Sequence, residues 1–114
     1  MRGYFSMILH AHLPYVRHPE YEEFLEEDWL YEAISETYIP LLNMFENLTR
    51  DKIPWSITMT MSGTLANMLN DELLRSRYEV SLNKSLELCR LEVERLKDQE
   101  ELLNVAKFNL SFFK

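Results

Sequence analysis

The sequence predicts an α/β fold in which two parallel strands are joined and followed by long helices. Three observations predict it. Tyr4-Phe5-Ser6-Met7-Ile8-Leu9 is a nearly continuous apolar run, the pattern of a strand buried on both faces. Trp55, Ile57, Met59 and Met61 alternate with Ser56, Thr58 and Thr60, a period of two that marks a second strand. Between and after these runs, apolar residues recur at spacings of three and four, the signature of amphipathic helices.

Taken in order, the first strand runs into His10-Ala11-His12-Leu13-Pro14-Tyr15-Val16-Arg17-His18-Pro19. Its two prolines favour an extended or turning loop. A helix is expected from Asp28, a suitable N-cap, with Glu32 and Glu36 placed favourably in its early turns. Leu30, Ile34, Tyr38, Leu41, Phe45 and Leu48 form its apolar face, and Pro40 should kink or split it. Arg50-Asp51-Lys52 reads as a polar turn before the strand Trp55–Met61, which Ser62-Gly63-Thr64 ends. Two parallel strands joined by such a helix make a right-handed βαβ unit. The loop after Met61 is therefore expected beside the histidine loop.

Beyond Leu65 the chain reads as helix. Leu74, Tyr78, Leu82, Leu86, Cys89, Val93 and Leu96 make one long stripe. Only about three heptads fit it and no clean a/d rule holds, which weakens a coiled-coil reading. A further helix from Glu100 finishes in Phe108, Leu110, Phe112 and Phe113. Natural termini are commonly polar and frayed, so this apolar end suggests a scaffold cut before it is finished.

Composition narrows the function classes. The 114 residues suit one domain with one core, 46% apolar and 27% charged. A net charge of −7 argues against nucleic acid and against an anionic membrane surface as partners. Eight carboxylates and no Lys or Arg lie between Glu20 and Glu36, which reads as a solvated acidic loop and helix face. Cys89 is the only cysteine and falls on the apolar stripe, as a small core residue does. Neither a signal-peptide pattern nor a membrane-length apolar segment is present, so a cytoplasmic protein is expected.

The chemistry concentrates in the histidine segment, which holds all three histidines of the chain. On a strand, His10 and His12 point to the same side and could share a metal ion, as in a metal-dependent hydrolase. A catalytic zinc needs a third protein ligand, and Pro14 and Arg17 separate the pair from His18. Alternatively the pair serves only as hydrogen-bonding loop residues. A third reading is sugar recognition, since imidazoles, Tyr15 and Arg17 supply donors, acceptors and flat apolar faces. Trp29 is a candidate cleft residue, whereas Trp55 at a strand start reads as core.

The run from Met1-Arg2-Gly3-Tyr4 through His10-Ala11-His12-Leu13-Pro14-Tyr15-Val16-Arg17-His18-Pro19 resembles the start of glycoside hydrolase family 57 enzymes. The likeness is greatest to their 1,4-α-glucan branching enzyme branch. The block Glu27-Asp28-Trp29-Leu30-Tyr31-Glu32-Ala33-Ile34-Ser35-Glu36-Thr37-Tyr38-Ile39-Pro40-Leu41-Leu42 resembles the family's next segment. A weaker match joins Leu65 to Leu69 with Asp71, Leu73, Leu74 and Arg77-Tyr78.

The resemblance implies that residues 1–114 are the N-terminal part of an incomplete (β/α)7 barrel acting on α-glucans such as amylose or glycogen. It implies a retaining mechanism, with one carboxylate as nucleophile and a second as acid and base. His10 and His12 would hold the donor sugar beside the cleaved bond, with Tyr15 and Trp29 in the glucan cleft and no metal or cofactor. The family's catalytic Glu and Asp lie in later motifs, and the chain reaches Lys114 before any of them. No catalytic residue is therefore assigned, and the chain alone is expected to be inert. Ser62-Gly63-Thr64 departs from the proline-containing turn more usual in the family. Two strands cannot close a barrel, so apolar edges and self-association are expected. A metal-dependent hydrolase fragment using His10 and His12, and a helical interaction module using Leu74 to Leu96, remain as alternatives.

Overall fold

The computed structural model describes residues 3–113; the Met1-Arg2 start of the first family-like block lies outside them. The chain forms two compact units, Met1–Leu74 and Arg75–Lys114. The first unit holds a two-stranded parallel sheet, β1 (Ile8–Ala11) paired with β2 (Thr58–Met61). Ile8 lies opposite Thr58, Leu9 opposite Met59, His10 opposite Thr60 and Ala11 opposite Met61. Backbone bonds extend the ladder at both ends, from Thr58 N–H to the Met7 carbonyl (3.4 Å) and from Ser62 N–H to the Ala11 carbonyl (3.0 Å). The parallel pairing and the placement of the second strand's exit beside the histidine loop agree with the sequence reading.

The strand boundaries do not agree. β1 starts at Ile8 rather than Tyr4, and it is not buried on both faces: Tyr4 is 99% and Phe5 85% exposed. Burial on both faces needs layers on both sides, and β1 has one strand partner among the described residues. β2 likewise begins at Thr58 rather than Trp55. Trp55 is held elsewhere: its ring stacks on Phe45 (centroids 4.6 Å apart, planes at 10°) and its indole N–H donates to Thr49 Oγ1 at 3.1 Å. It is half-exposed, so it is not the core residue expected at a strand start.

The connection between the strands is helical, as α1 (Glu27–Glu32), a π-helical segment (Ala33–Tyr38) and α2 (Ile39–Arg50). It starts before Asp28, because Glu27, Asp28 and Trp29 already donate to the carbonyls of Phe24, Leu25 and Glu26. Asp28 is thus inside the helix and not its cap. Pro40 does not split it. Tyr38 and Ile39 keep helical dihedrals, and Ile39 N–H reaches back five residues to Ile34. A proline lacks its own N–H and crowds the carbonyl four residues earlier. A widened turn directly before Pro40 absorbs both demands without breaking the helix.

At the other end Lys52 adopts φ 57°, the left-handed conformation. Lys52 N–H donates to Thr49 (3.1 Å) and Ile53 N–H to Leu48 (2.9 Å), the bond pair of a Schellman motif. Ser62 then caps α3 (Gly63–Leu69), its Oγ accepting from Leu65 N–H at 3.3 Å.

The core of this unit comprises Ala11, Val16, Leu30, Tyr31, Leu65, Met68 and Leu74. Each large apolar side chain buried there contributes about 1.5–3 kcal/mol of transfer free energy. α4 (Glu72–Arg95) continues into the second unit, followed by α5 (Glu100–Phe112). The expected stripe is the protected face of α4: Tyr78, Leu82, Leu86, Cys89 and Val93 are half-buried, and Leu96 just past the helix is buried. Glu92 with Arg95, Glu87 with Arg90, and Glu94 with Lys97 pair on the solvent side. Phe108 and Phe112 remain exposed at the end of α5.

Candidate functional site

His10 sits in β1 opposite Thr60, and its Nδ1 lies 2.6 Å from Thr60 Oγ1. The strand period then brings His12 to the same side, its ring 6.0 Å from that of His10 and within 14° of parallel. The Thr60 contact fixes one ring nitrogen of His10 and leaves Nε2 as an outward donor or acceptor, set by the tautomer. Both imidazoles are exposed. Neither has a carboxylate partner, and no group of three or more His, Cys, Asp or Glu is disposed to hold a metal ion, among the described residues. The zinc reading therefore lacks its third ligand there. What the pair offers is two near-parallel rings whose nitrogens can exchange hydrogen bonds with hydroxyl groups.

The loop that follows is pinned at three consecutive residues. Val16 is fully buried, and its N–H donates to Met68 Sδ at 3.3 Å. Arg17 Nε donates to Asp71 Oδ2 at 2.8 Å, while Asp71 Oδ1 accepts from Leu74 N–H at 3.0 Å as the N-cap of α4. His18 N–H donates to Glu27 Oε1 at 3.2 Å, and Glu27 Oε2 accepts from the Tyr31 hydroxyl at 3.0 Å. Glu27 is only 1% exposed, which corrects the reading of Glu20 to Asp28 as a solvated run. Backbone and phenol donors satisfy it, so its burial is supported.

The ring of His18 spans two carboxylates, with Nδ1 3.3 Å from Glu20 Oε1 and Nε2 3.0 Å from Glu26 Oε2, and it packs on Phe24 at 3.8 Å. The Glu26 hydrogen bond, aided by Glu20, raises the His18 pKa above its ordinary value against the opposing effect of burial. Glu20 is held low by its own backbone N–H and by His18. Burial alone would raise the Asp71 carboxyl. The N–H of Leu74, the Arg17 guanidinium and the N–H of Leu73 together outweigh it and keep the group below the usual range.

Of the residues singled out in the sequence, the structure brings His10 and His12 together. Tyr15, on the pinned loop, is 55% exposed, and Trp29, in the first turn of α1, is 49% exposed. Neither makes a hydrogen bond or ring contact with the pair among the described residues. Sequence reasoning missed Thr60, Glu27 and Asp71. Asp71 before Glu72-Leu73-Leu74 carries an N-cap signature that could have been read. The other two depend on register and on contacts that no local pattern encodes.

A parallel strand pair joined by a helix, whose exit carries a polar cluster on a loop pinned by the following helices, defines a piece of an α/β scaffold. The sequence profile of Glycosyl hydrolase family 57 matches residues 6–114, and the chain belongs to that family. All 114 residues align at 35% identity with a 1,4-alpha-glucan branching enzyme of Thermococcus kodakarensis, of which they cover 16%. Among solved structures, the alpha-amylase AmyC from Thermotoga maritima superposes with a TM-score of 0.91 at 46% identity. A family 57-type branching enzyme from Pyrococcus horikoshii superposes with a TM-score of 0.89 at 33% identity. Each superposition takes in 99% of this chain and 21% of the other. The chain thus spans about a sixth to a fifth of the length of these relatives.

Proposed function

We propose that residues 1–114 form the N-terminal part of a family 57 (β/α)7 barrel in an α-glucan-active retaining enzyme, most specifically a 1,4-α-glucan branching enzyme. His10 and His12 hold the donor sugar by hydrogen bonds, and Tyr15 and Trp29 line the glucan cleft. The carboxylates for double displacement lie outside these residues, so the 114-residue chain alone turns over no glucan. The observation that carries the reading is the alignment of all 114 residues with a branching enzyme, with the histidine pair brought together at the strand exit. No helix among the described residues is long and apolar enough to cross a membrane.

Hydrolysis is the second reading, favoured by the 46% identity to an alpha-amylase. The test is to supply amylose to the protein at the full length its gene encodes. New α-1,6 linkages, detected as short chains after debranching, with little reducing sugar released, support branching. Reducing sugar without new branch points assigns hydrolysis, and no change in amylose overturns both. His10→Ala and His12→Ala should each cost at least tenfold in turnover, as the loss of hydrogen bonds tightened in the transition state does.

A further inference from the structure

Between Ala11, fixed by the Ser62 N–H, and Val16, fully buried, only His12, Leu13, Pro14 and Tyr15 are left to span the site. Pro14 has a locked φ, so the placement of His12 and Tyr15 follows from how firmly the two ends of this span are held. The near end is held by the β ladder. The far end is held by the three anchors at Val16, Arg17 and His18, which differ in strength.

A thioether sulfur is a weak acceptor, so the Val16–Met68 contact adds mainly packing. The Arg17–Asp71 pair is part-exposed, with side chains 30% and 23% accessible, and solvent weakens it. The His18 N–H instead meets a carboxylate that is almost wholly buried and is itself oriented by the Tyr31 hydroxyl. Although longer than the Arg17–Asp71 contact, this bond is the one of the three that solvent screens least. Its two partners belong to different elements, so it ties the far end of the loop to α1, the helix that carries Trp29.

We infer that Glu27 is a positioning residue for the glucan site, holding the loop so that Tyr15 meets the substrate. This rests on the α-glucan reading above. Glu27 touches no substrate; it acts through His18 and the span before it. Glutamine has one acceptor oxygen where Glu27 uses two, so in Glu27→Gln the His18 N–H and the Tyr31 hydroxyl compete for it.

The test uses the protein at the full length its gene encodes, with two readouts. In Glu27→Gln, amide hydrogen exchange over residues 16–18 should accelerate about tenfold, the scale of one lost charge-assisted bond, with β1 and β2 unchanged. KM for amylose should rise by a similar factor at nearly constant kcat, and that rise should vanish in a Tyr15→Ala background. Unchanged exchange overturns the proposal. So does a loosened loop with unaltered KM, or a KM rise that persists without Tyr15. If Glu27→Gln does not fold, Tyr31→Phe takes its place, since it removes the hydroxyl that orients Glu27 and leaves the carboxylate to the His18 N–H. It should give the same pattern at smaller amplitude, and no effect overturns the proposal. If the unaltered protein does not act on amylose, the function reading fails, while the exchange measurement still decides whether Glu27 holds the loop.

Discussion

Asp71 serves two structures with its two oxygens, and replacing it separates their contributions. Oδ1 caps α4 through Leu74 N–H, and Oδ2 pairs with Arg17. Removing a cap of this kind costs about 1 kcal/mol. The ion pair, part-exposed at 30% and 23%, contributes roughly 0.5–1 kcal/mol after screening. Asp71→Ala loses both, roughly 1.5–2 kcal/mol together, which corresponds to about a 10- to 30-fold change in an opening equilibrium. Asp71→Asn keeps a good capping oxygen and loses the charge, so its cost stays under about 1 kcal/mol, or fivefold. Amide exchange of the peptide spanning residues 70–76, measured on the full gene-length protein, reads these openings directly. The pH dependence follows from the depressed Asp71 pKa. The contribution is present above the ordinary value of 3.8 and is lost as pH falls through the lower folded value. Equal acceleration in the alanine and asparagine variants would refute the division of labour, because it would leave no separate contribution from the cap.

Four further outcomes are expected. Lys52→Gly should stabilise the α2 terminus by about 1 kcal/mol, since Lys52 has φ 57° in the left-handed region; an unchanged or lower unfolding midpoint counts against it. His18 should titrate above 6.5 in an NMR titration of its ring, and Glu26→Gln should lower the midpoint. Because the folded value is raised, its contribution is complete below 6.5 and fades as pH climbs through the folded value. Thr60→Val should free the His10 ring, seen as mixed tautomers in imidazole nitrogen shifts, and should lower kcat/KM on amylose about two- to tenfold. The 114-residue chain by itself should self-associate through the exposed Tyr4, Phe5 and Ile8, with sedimentation depending on concentration; a monodisperse monomer at all concentrations would contradict this.

The elements that the sequence made legible are those whose signal is local. The alternation around Thr58 and Thr60, the stripe from Leu74 to Leu96 and the histidine pair at a strand exit all depend on spacing, and each is found, the strand only over Thr58–Met61. The failures share a cause, which is competition between two local preferences. Trp55 fits a strand by periodicity, yet stacking on Phe45 and donating to Thr49 draws it off the ladder. Pro40 predicts a break, but a π-helical turn just before it lets the helix run on. Tyr4 and Phe5 look like core by hydropathy, yet burial is a property of neighbours, and none of the described residues covers them.

The site shows the same division more sharply. His10, His12 and Tyr15 drew attention because imidazole and aromatic residues at a strand exit are unusual in themselves. The site's supports were hidden because their partners are far apart in the chain: Arg17 and Asp71 are 54 residues apart, Val16 and Met68 are 52 apart. Glu27 was misread for a further reason. A carboxylate among seven others looks solvated, and only the His18 N–H and the Tyr31 hydroxyl turned onto it reveal a buried anchor. Charge composition describes the average residue of a segment, whereas burial selects the one that has found its donors. Under the proposed function, in which His10 and His12 hold the donor sugar, the span from His12 to Tyr15 has to keep its side chains in place between its two anchored ends. Of the three anchors at the far end, Glu27 is the one removed from water and satisfied by two donors, which is why its replacement is the informative one.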